Sequence, residues 1–410
     1  MTSLRTTEPS FGATLLPDAD EAEVPFGFKE IFFSRTDARG VIQAGNSVFR
    51  RVSGYDWPRL IGAPHRIIRH PAMPKAAFHL LWDRLRAGRP TGVYVRNRSV
   101  EGGTYWVFAI VVPIRDGFLS VRIKPGTATF GRVQGIYADL RAAESRGLTP
   151  AEGATELLVR LGDDGFPSYD SFQARALAAE IMNRAGRRGH PAPRLAQAIK
   201  AAEAADRIGA ELAATQRVFD SAMLIAMNLR ITATRLGDRP LTAISNNYAL
   251  VSSDMASWLD KRISGSDGGF EGIARSVSES LFLKNATTLL DEMSETFARD
   301  GEVGSGDAAE ERARLAEAAA QYRERAEECN ERAVEMAIAL ESHLGQMRHR
   351  VTALDSIRML CRVEGAGLCG TEGSLDQTVS QFDGFQDDLG ARLARTMLLG
   401  QEIQDAAAVP

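Results

Sequence analysis

The 410 residues predict an α+β domain, a five-stranded antiparallel sheet with helices, followed by an all-α coiled-coil or helical-bundle region. Three observations point there. Short apolar runs bounded by turn residues fall between Phe32 and Lys124. Beyond about residue 192 aromatic residues thin out, and apolar positions recur in alternating steps of three and four. Gly237-Asp238-Arg239-Pro240 interrupts that repeat with residues that stop a helix. Runs bounded by turn residues read as strands, and the three-four repeat reads as helices packed along a seam.

Taken in order, residues 1–24 are polar and acidic and are expected to be a disordered tail, with Pro25 to Glu30 a short cap laid against the sheet. Phe32-Phe33-Ser34-Arg35-Thr36 and Val41-Ile42-Gln43-Ala44 are joined by Asp37-Ala38-Arg39-Gly40, a polar, Gly-ending connection that suits a hairpin. Gly92 to Asn97, Thr104 to Pro113 and Phe118 to Lys124 follow, separated by Glu101-Gly102-Gly103 and Arg115-Asp116-Gly117. Between the early pair and the late trio the chain reads as short helices, centred on Ile68-Arg69-His70-Pro71-Ala72-Met73-Pro74. Two strands, a helical insert and three strands make an antiparallel sheet with helices over one face.

Asn46, Val52-Ser53-Gly54-Tyr55, Leu60-Ile61-Gly62, Pro64-His65, Ile68-Arg69-His70-Pro71, Met73-Pro74, Phe78, Leu81-Trp82, Val95-Arg96-Asn97-Arg98, Tyr105-Trp106-Val107 and Ser120-Val121-Arg122 resemble the PAS domain of bacterial aerotaxis receptors, over about residues 28–125. The Arg-His-Pro-x-Met-Pro string and the later Arg-Asn-Arg string stand at that family's distance. The resemblance implies a noncovalently held FAD that reports the redox state of the cell, in a site built from Asn46, Arg69, His70, Phe78, Trp82 and Asn97. One departure concerns that site: the family pattern has Asp between Pro and Met, where this chain has Ala72, so a carboxylate acceptor is missing.

The chemistry of these residues can be weighed on its own. A flavin needs an apolar slot for its rings, hydrogen bonds for its carbonyls, and cationic donors for phosphate. Phe78, Leu81 and Trp82 are spaced to share one helical face and can line a slot; Asn46 and Asn97 each offer a donor and an acceptor; Arg69 and His70 suit phosphate or ribose. The plainer alternative makes the aromatic residues ordinary core and His70 a helix cap. His65, His70 and His79 would each serve as an axial nitrogen for haem, and no spacing singles one out.

Val133, Ile136, Tyr137 and Leu140 mark a helix expected to leave the sheet and carry strain outward, within a helical linker subdomain at 126–191. Thr149-Pro150-Ala151-Glu152 starts a further helix, and Arg184 to Pro193 reads as linker. A first helical hairpin is expected at 192–264, with Ala205, Ile208, Leu212, Thr215, Phe219, Ala222, Ala226, Leu229, Ala233 and Leu236 in one seam, and Leu241, Ile244, Tyr248, Val251, Met255 and Trp258 in the other. A connecting helix and loop at 265–306 and a second hairpin at 307–410 complete the chain.

The run from Ile225 to Asp238 resembles the hairpin tip of chemoreceptor signalling domains. This implies a partner-binding tip at Asn228, Arg230, Thr232, Arg235, Gly237 and Asp238, with the chemotaxis coupling protein or the histidine kinase as partner. Thr232 stands where that family has an acidic residue, and Arg362 to Leu368 can be laid on the tip as a second copy.

A net charge of −4 without a basic, aromatic-interleaved patch argues against nucleic acid. Cys329, Cys361 and Cys369 form no disulfide framework, which fits a reducing compartment. No run of 18 apolar residues occurs, so no membrane span is expected. No P-loop, nucleophile elbow or zinc spacing is found, so no enzyme is expected. The reading is a cytoplasmic signal-transduction sensor of the aerotaxis kind, with a homodimer left open. Its alternative is a cofactor-free PAS and coiled-coil scaffold without direct control of a kinase.

Overall fold

The strands expected between Phe32 and Lys124 form one antiparallel sheet in the computed structural model, which describes residues 22–237, 239–263, 269–300, 302–304, 306–366 and 372–407. β1 (Phe32–Asp37), β2 (Ile42–Gly45), β3 (Thr91–Arg98), β4 (Thr104–Ile114) and β5 (Gly117–Ile123) stand in the order β2-β1-β5-β4-β3. Between β2 and β3 lie α1 (Ser47–Ser53), α2 (Trp57–Leu60), a 3₁₀ turn (His65–Ile68) and α3 (Lys75–Arg86). The remainder is helical: α4 (Ala128–Ser145), α5 (Pro150–Asp163), α6 (Tyr169–Arg187), α7 (Pro193–Leu236), α8 (Arg239–Ile263), α9 (Glu271–Asp300), α10 (Ala308–Ala366) and α11 (Glu372–Ala407). No described helix is long and apolar enough to cross a membrane.

An exposed strand edge leaves backbone groups unpaired, and both edges here are covered. Beside β2, Ile42 N–H donates to Ala63 O and Gly62 N–H to Ile42 O. Beside β3, His70 N–H donates to Arg96 O, Gly92 N–H donates to Gln173 Oε1, and Tyr169 Oη donates to Gly92 O. The N-terminal segment also differs from the expected tail. Residues 1–21 lie outside the described residues, but 22–24 are moored to β4: Val24 N–H donates to Thr104 O and Thr104 N–H to Ala22 O.

The sheet is covered on both faces, not one. Its front takes the 3₁₀ turn and α3. Its back takes α4, α6 and α9, which explains why β3 and β5 are buried almost residue by residue rather than on alternate positions. Gly92 shows how close the backing is. A Cβ there would lie 2.9 Å from both Phe108 Cζ and Phe282 Cε2 of α9. Tyr94 Oη donates to Glu180 of α6, and that carboxylate also accepts from Gly126 N–H and Thr127 Oγ1, which ties the start of α4 to the sheet. Burial raises the pKa of Glu180.

Two further expectations are corrected. α4 does not leave the sheet. Its Val133, Tyr137 and Leu140 are buried, Tyr137 and Phe130 pack on Trp106, and Glu144 near its end accepts from Lys75 N–H and Ala76 N–H. Pro74 offers no capping side chain at the start of α3, so the Glu144 carboxylate satisfies those first amides instead. Nor is Arg184 in a linker: α6 continues to Arg187, and Arg184 is buried against Glu292 of α9.

α7, α8, α10 and α11 pack around one apolar core. Phe219, Tyr248, Phe382 and Phe385 cluster at its centre, and Glu211 meets Arg392 and Arg395 across α7 and α11. These pairings set the C-terminal half of α7 beside the N-terminal half of α11. The seam positions from Ala205 to Ala233 are buried as the three-four repeat requires. α7 ends on Gly237 at φ +66, the left-handed conformation that suits glycine at a helix C-terminus. Asp238 lies outside the described residues, as does part of the second tip copy and Cys369. Cys329 is buried, and burial raises its thiol pKa to about 11.

Candidate functional site

A cavity of about 290 Å³ opens between the front of the sheet, the 3₁₀ turn and α3. Strand alternation selects what the sheet contributes. Ser34 of β1, Ser120 of β5 and Val111 of β4 stand in one register row and point forward, with Thr36 and Phe118 in the next. β3 adds Val95 and Asn97. α3 adds Phe78, Leu81, Trp82 and Leu85 at helical spacing, with the Trp82 ring edge-on to Phe118 at 5.4 Å. The β1–β2 hairpin closes one side. Gly40, at φ +77, sits where a Cβ would lie 3.3 Å from Trp82 Cη2, so glycine serves both the turn and the approach.

The polar part of the lining is one-sided. Arg39, Arg66, Arg69 and Arg122 contribute to it, and no carboxylate among the described residues does. Arg122 is 5% exposed. Its Nη2 donates to Ser34 Oγ at 2.9 Å and to His65 Nε2 at 2.7 Å, while its Nη1 has no hydrogen-bond partner. Because a guanidinium can only donate, His65 accepts at Nε2 and carries its proton on Nδ1. His65 is partly exposed, but burial around the ring, followed by the charge of Arg122, pushes its pKa down to about 3, so it is neutral. Burial likewise lowers Arg122 to about 10, which leaves it charged at neutral pH. Arg69 lies over the Phe78 ring, its Cζ 3.4 Å from the centroid, and burial lowers its pKa.

Arg69 Nε and Ser120 Oγ join Arg122 Nη1 as buried polar atoms without a partner. Buried polar groups are nearly always hydrogen-bonded, and each orphan costs about 1–3 kcal/mol. All three belong to side chains that line this one cavity.

Of the six residues expected to hold a cofactor, Arg69, Phe78, Trp82 and Asn97 come together here. Asn46 and His70 do not line the cavity. Asn46 caps α1: its Oδ1 accepts from Phe33 N–H and Phe49 N–H, and its Nδ2 donates to Ile31 O. Its carbonyl oxygen and one of its two N–H donors are thus used in joining β1 to α1, and Nδ2 otherwise meets only Met293 Sδ at 3.9 Å. His70 Nδ1 accepts from Ala72 N–H, and Ala72 is also outside the lining. Among the three histidines considered for haem, only His65 lines the cavity, and its Nε2 is taken by Arg122. The residues missed are Ser34, Ser120 and Arg122. The signal for them lay in strand alternation: polar residues at forward positions of otherwise apolar strands.

At the far end of the molecule, Asn228, Arg230 and Arg235 of the expected tip are exposed on α7 and Thr232 is half-buried. Met223, Leu224, Met227 and Ile231 are exposed beside them.

Residues 44–121 match the family model of the PAS fold. The aerotaxis receptor of Escherichia coli (strain K12) is 35% identical over 134 residues, which are 32% of this chain and 26% of that receptor. The chain thus spans about a quarter of the relative it matches. Solved structures that match part of the chain include a light-oxygen-voltage domain studied with a flavin analogue, at 21% identity, covering 28% of this chain and 87% of that one, with a TM-score of 0.22. The light-state structure of the blue-light photoreceptor Aureochrome1 LOV is 19% identical, covers 29% of this chain and 91% of that one, and has a TM-score of 0.22. The sheet domain is a PAS domain similar to that of the aerotaxis receptor, and a helical region follows it.

Proposed function

We propose that this PAS domain holds a flavin in the front cavity, and that the chain is a cytoplasmic, non-enzymatic sensor passing the flavin's redox state to the helical bundle. The observation that carries the reading is the set of orphaned polar atoms, Arg69 Nε, Ser120 Oγ and Arg122 Nη1, on an apolar slot without a carboxylate. A flavin ring presents carbonyl acceptors on one edge and flat apolar faces, and FAD adds phosphates. Arg122, Arg69 and Ser120 offer donors to such an edge, Asn97 offers both a donor and an acceptor, and Val95, Val111, Leu81 and Trp82 supply the apolar walls. Exposed Arg39 and Arg66 suit the phosphates. A bound flavin supplies reversible redox chemistry. The chain's part is to hold the ring, exclude water with Trp82 and Phe118, and present a fixed positive charge from Arg122.

The similarity to an aerotaxis receptor supports the redox reading, and the exposed residues around Asn228 and Arg230 support a chemotaxis coupling protein or histidine kinase as the partner. The absorbance spectrum of the purified chain tests the cofactor, recorded before and after dithionite and with any released flavin identified. A flavin spectrum that bleaches on reduction, and that is lost in Arg122→Met, is expected. No band even after reconstitution with FAD would sink the flavin reading and leave a cofactor-free PAS and bundle scaffold.

A further inference from the structure

β1 has one face on the cavity and the other on the helical region. Ser34 and Thr36 point forward, where Ser34 accepts from Arg122. Phe33 and Arg35 point backward. Phe33 meets Phe297 of α9 edge-on at 4.9 Å. Arg35 grips Glu311, in the first turn of α10, with Nε 2.9 and 3.0 Å from the two carboxylate oxygens and Nη2 at 2.8 Å. Glu311 is 1% exposed, so its charge is held where water does not screen it. A bidentate buried pair fixes orientation as well as distance.

The turn between α9 and α10 is moored to the same domain at further points. Glu302 pairs with Arg50 of α1 and accepts from Trp57 Nε1 of α2. Gly45 N–H of β2 donates to Val303 O. Gly304, at φ +74, lies so close to the Trp57 indole that a Cβ would stand 2.4 Å from its Cε3. From this anchorage α10 runs 59 residues without a break, about 90 Å at helical rise, into the bundle.

We propose that β1 is the output strand of the PAS domain, and that the Arg35–Glu311 pair is a latch by which the cavity holds or frees the start of α10. One peptide unit separates the Ser34 hydroxyl from the Arg35 side chain. A change in the bonds that Ser34 and Arg122 make therefore moves the Arg35 guanidinium relative to Glu311. Packed interfaces respond to such shifts by switching arrangement rather than by stretching. The latch rests on the reading of the front cavity as the ligand site, but it is a coupling between two faces of one strand and is measurable without a ligand.

The test is hydrogen exchange of the amides of residues 308–316 in the full chain, in wild type, Ser34→Ala, Glu311→Gln and the double variant. Glu311→Gln is expected to speed exchange there by about tenfold or more, since it leaves Arg35 without its charged partner. Ser34→Ala is expected to speed the same amides, and the double variant to exchange no faster than Glu311→Gln alone, because both changes open one latch. Effects that multiply independently, or a Ser34→Ala variant with wild-type exchange at 308–316, would overturn the proposal. Arg35→Lys, which keeps the charge and loses the bidentate grip, carries the same test should Glu311→Gln fold poorly. The outcome separates from the cofactor question: a chain with no flavin band but coupled variants keeps the latch and loses the flavin, and a flavin-bound chain with independent variants does the reverse.

Discussion

On the back of the sheet Phe282 closes over Gly92, Phe297 meets Phe33, and the polar side chains Tyr94 and Arg35 each reach a carboxylate, Glu180 and Glu311. On the front, Arg69, Tyr105, Ser120 and Arg122 all keep a buried polar atom without a partner. The strands are the same, so the difference comes from what lies against them. A face that only has to hold the fold can satisfy its polar groups and fill its volume. On the proposed flavin reading, the front leaves both donors and space unfilled for a ligand, and the fold carries that cost. The back face is therefore where stability resides, and the front is the face to which the proposed flavin site assigns binding.

The largest expected effect tests the back. Phe282→Ala removes a ring 1% exposed from between β3 and α9, and such a truncation costs about 3–5 kcal/mol. Chemical unfolding followed by circular dichroism should show that loss. A cost under about 1 kcal/mol would mean that α9 is not seated on the sheet as described.

The next test uses pH and belongs to the front. His65 is neutral in the folded chain because its pKa falls to about 3, while in the unfolded chain it protonates near its ordinary 6.5. Its folded pKa is depressed, and the neutral form is the one the fold holds. The unfolded state therefore binds the extra proton as pH falls, and the contribution of His65 to stability is full above pH 6.5 and declines from there toward pH 3. Relative to His65→Gln, wild type should lose about 1.4 kcal/mol per pH unit in this window. Unfolding free energies of both proteins from neutral to mildly acidic pH would measure it. Parallel pH profiles would show that His65 does not stay neutral beside Arg122.

The same contrast explains what could be read from the sequence. Strands, turns and helical seams follow from local chemistry, and Gly40, Gly117 and Gly237 fall at the turns they were expected to form. The long helices of the bundle follow from a repeat visible along the chain. Which side chains meet in the cavity depends on long-range packing. The donor and acceptor of Asn46 suit a cofactor edge and equally suit a helix cap, and its place at the start of α1 decides its role. Arg122 stands in the sequence as one residue of the Ser120-Val121-Arg122 string, and its setting in the cavity comes from residues far apart in sequence. The covering of the back by α9 was not legible, because an amphipathic helix does not state which surface it will cover.

A smaller effect should separate function from stability on the front. Arg122→Met keeps the length of the side chain and removes a buried charge that no carboxylate balances. Stability is expected to stay the same or rise by about 1 kcal/mol, in line with buried charges replaced by apolar groups of similar volume. Binding of FAD, followed by fluorescence quenching, should fall by about tenfold or more. A variant that loses stability and keeps its affinity would assign Arg122 to the fold and remove the distinction between the two faces.

The smallest effect extends the comparison to α7, which also has a sealed side and an open one. Phe219, Ala222, Ala226 and Leu229 are buried in the bundle, whereas Met227 is 51% exposed, with Leu224 and Ile231 beside it. Scattered surface methionines need no explanation, but an exposed apolar stripe next to Asn228 and Arg230 coincides with the tip to which a signalling partner is assigned here. Met227→Gln should change the stability of the purified chain by no more than about 0.5 kcal/mol, as expected for a surface position. Leu229→Ala, two residues on and on the sealed side, should cost about 2–5 kcal/mol. If Met227→Gln also costs several kcal/mol, the stripe is packed against the chain's own helices and is no open surface. If it costs nothing and weakens capture of a chemotaxis coupling protein while Leu250→Gln, at an exposed position on α8, does not, then α7 divides its two sides between holding and receiving, as the sheet does.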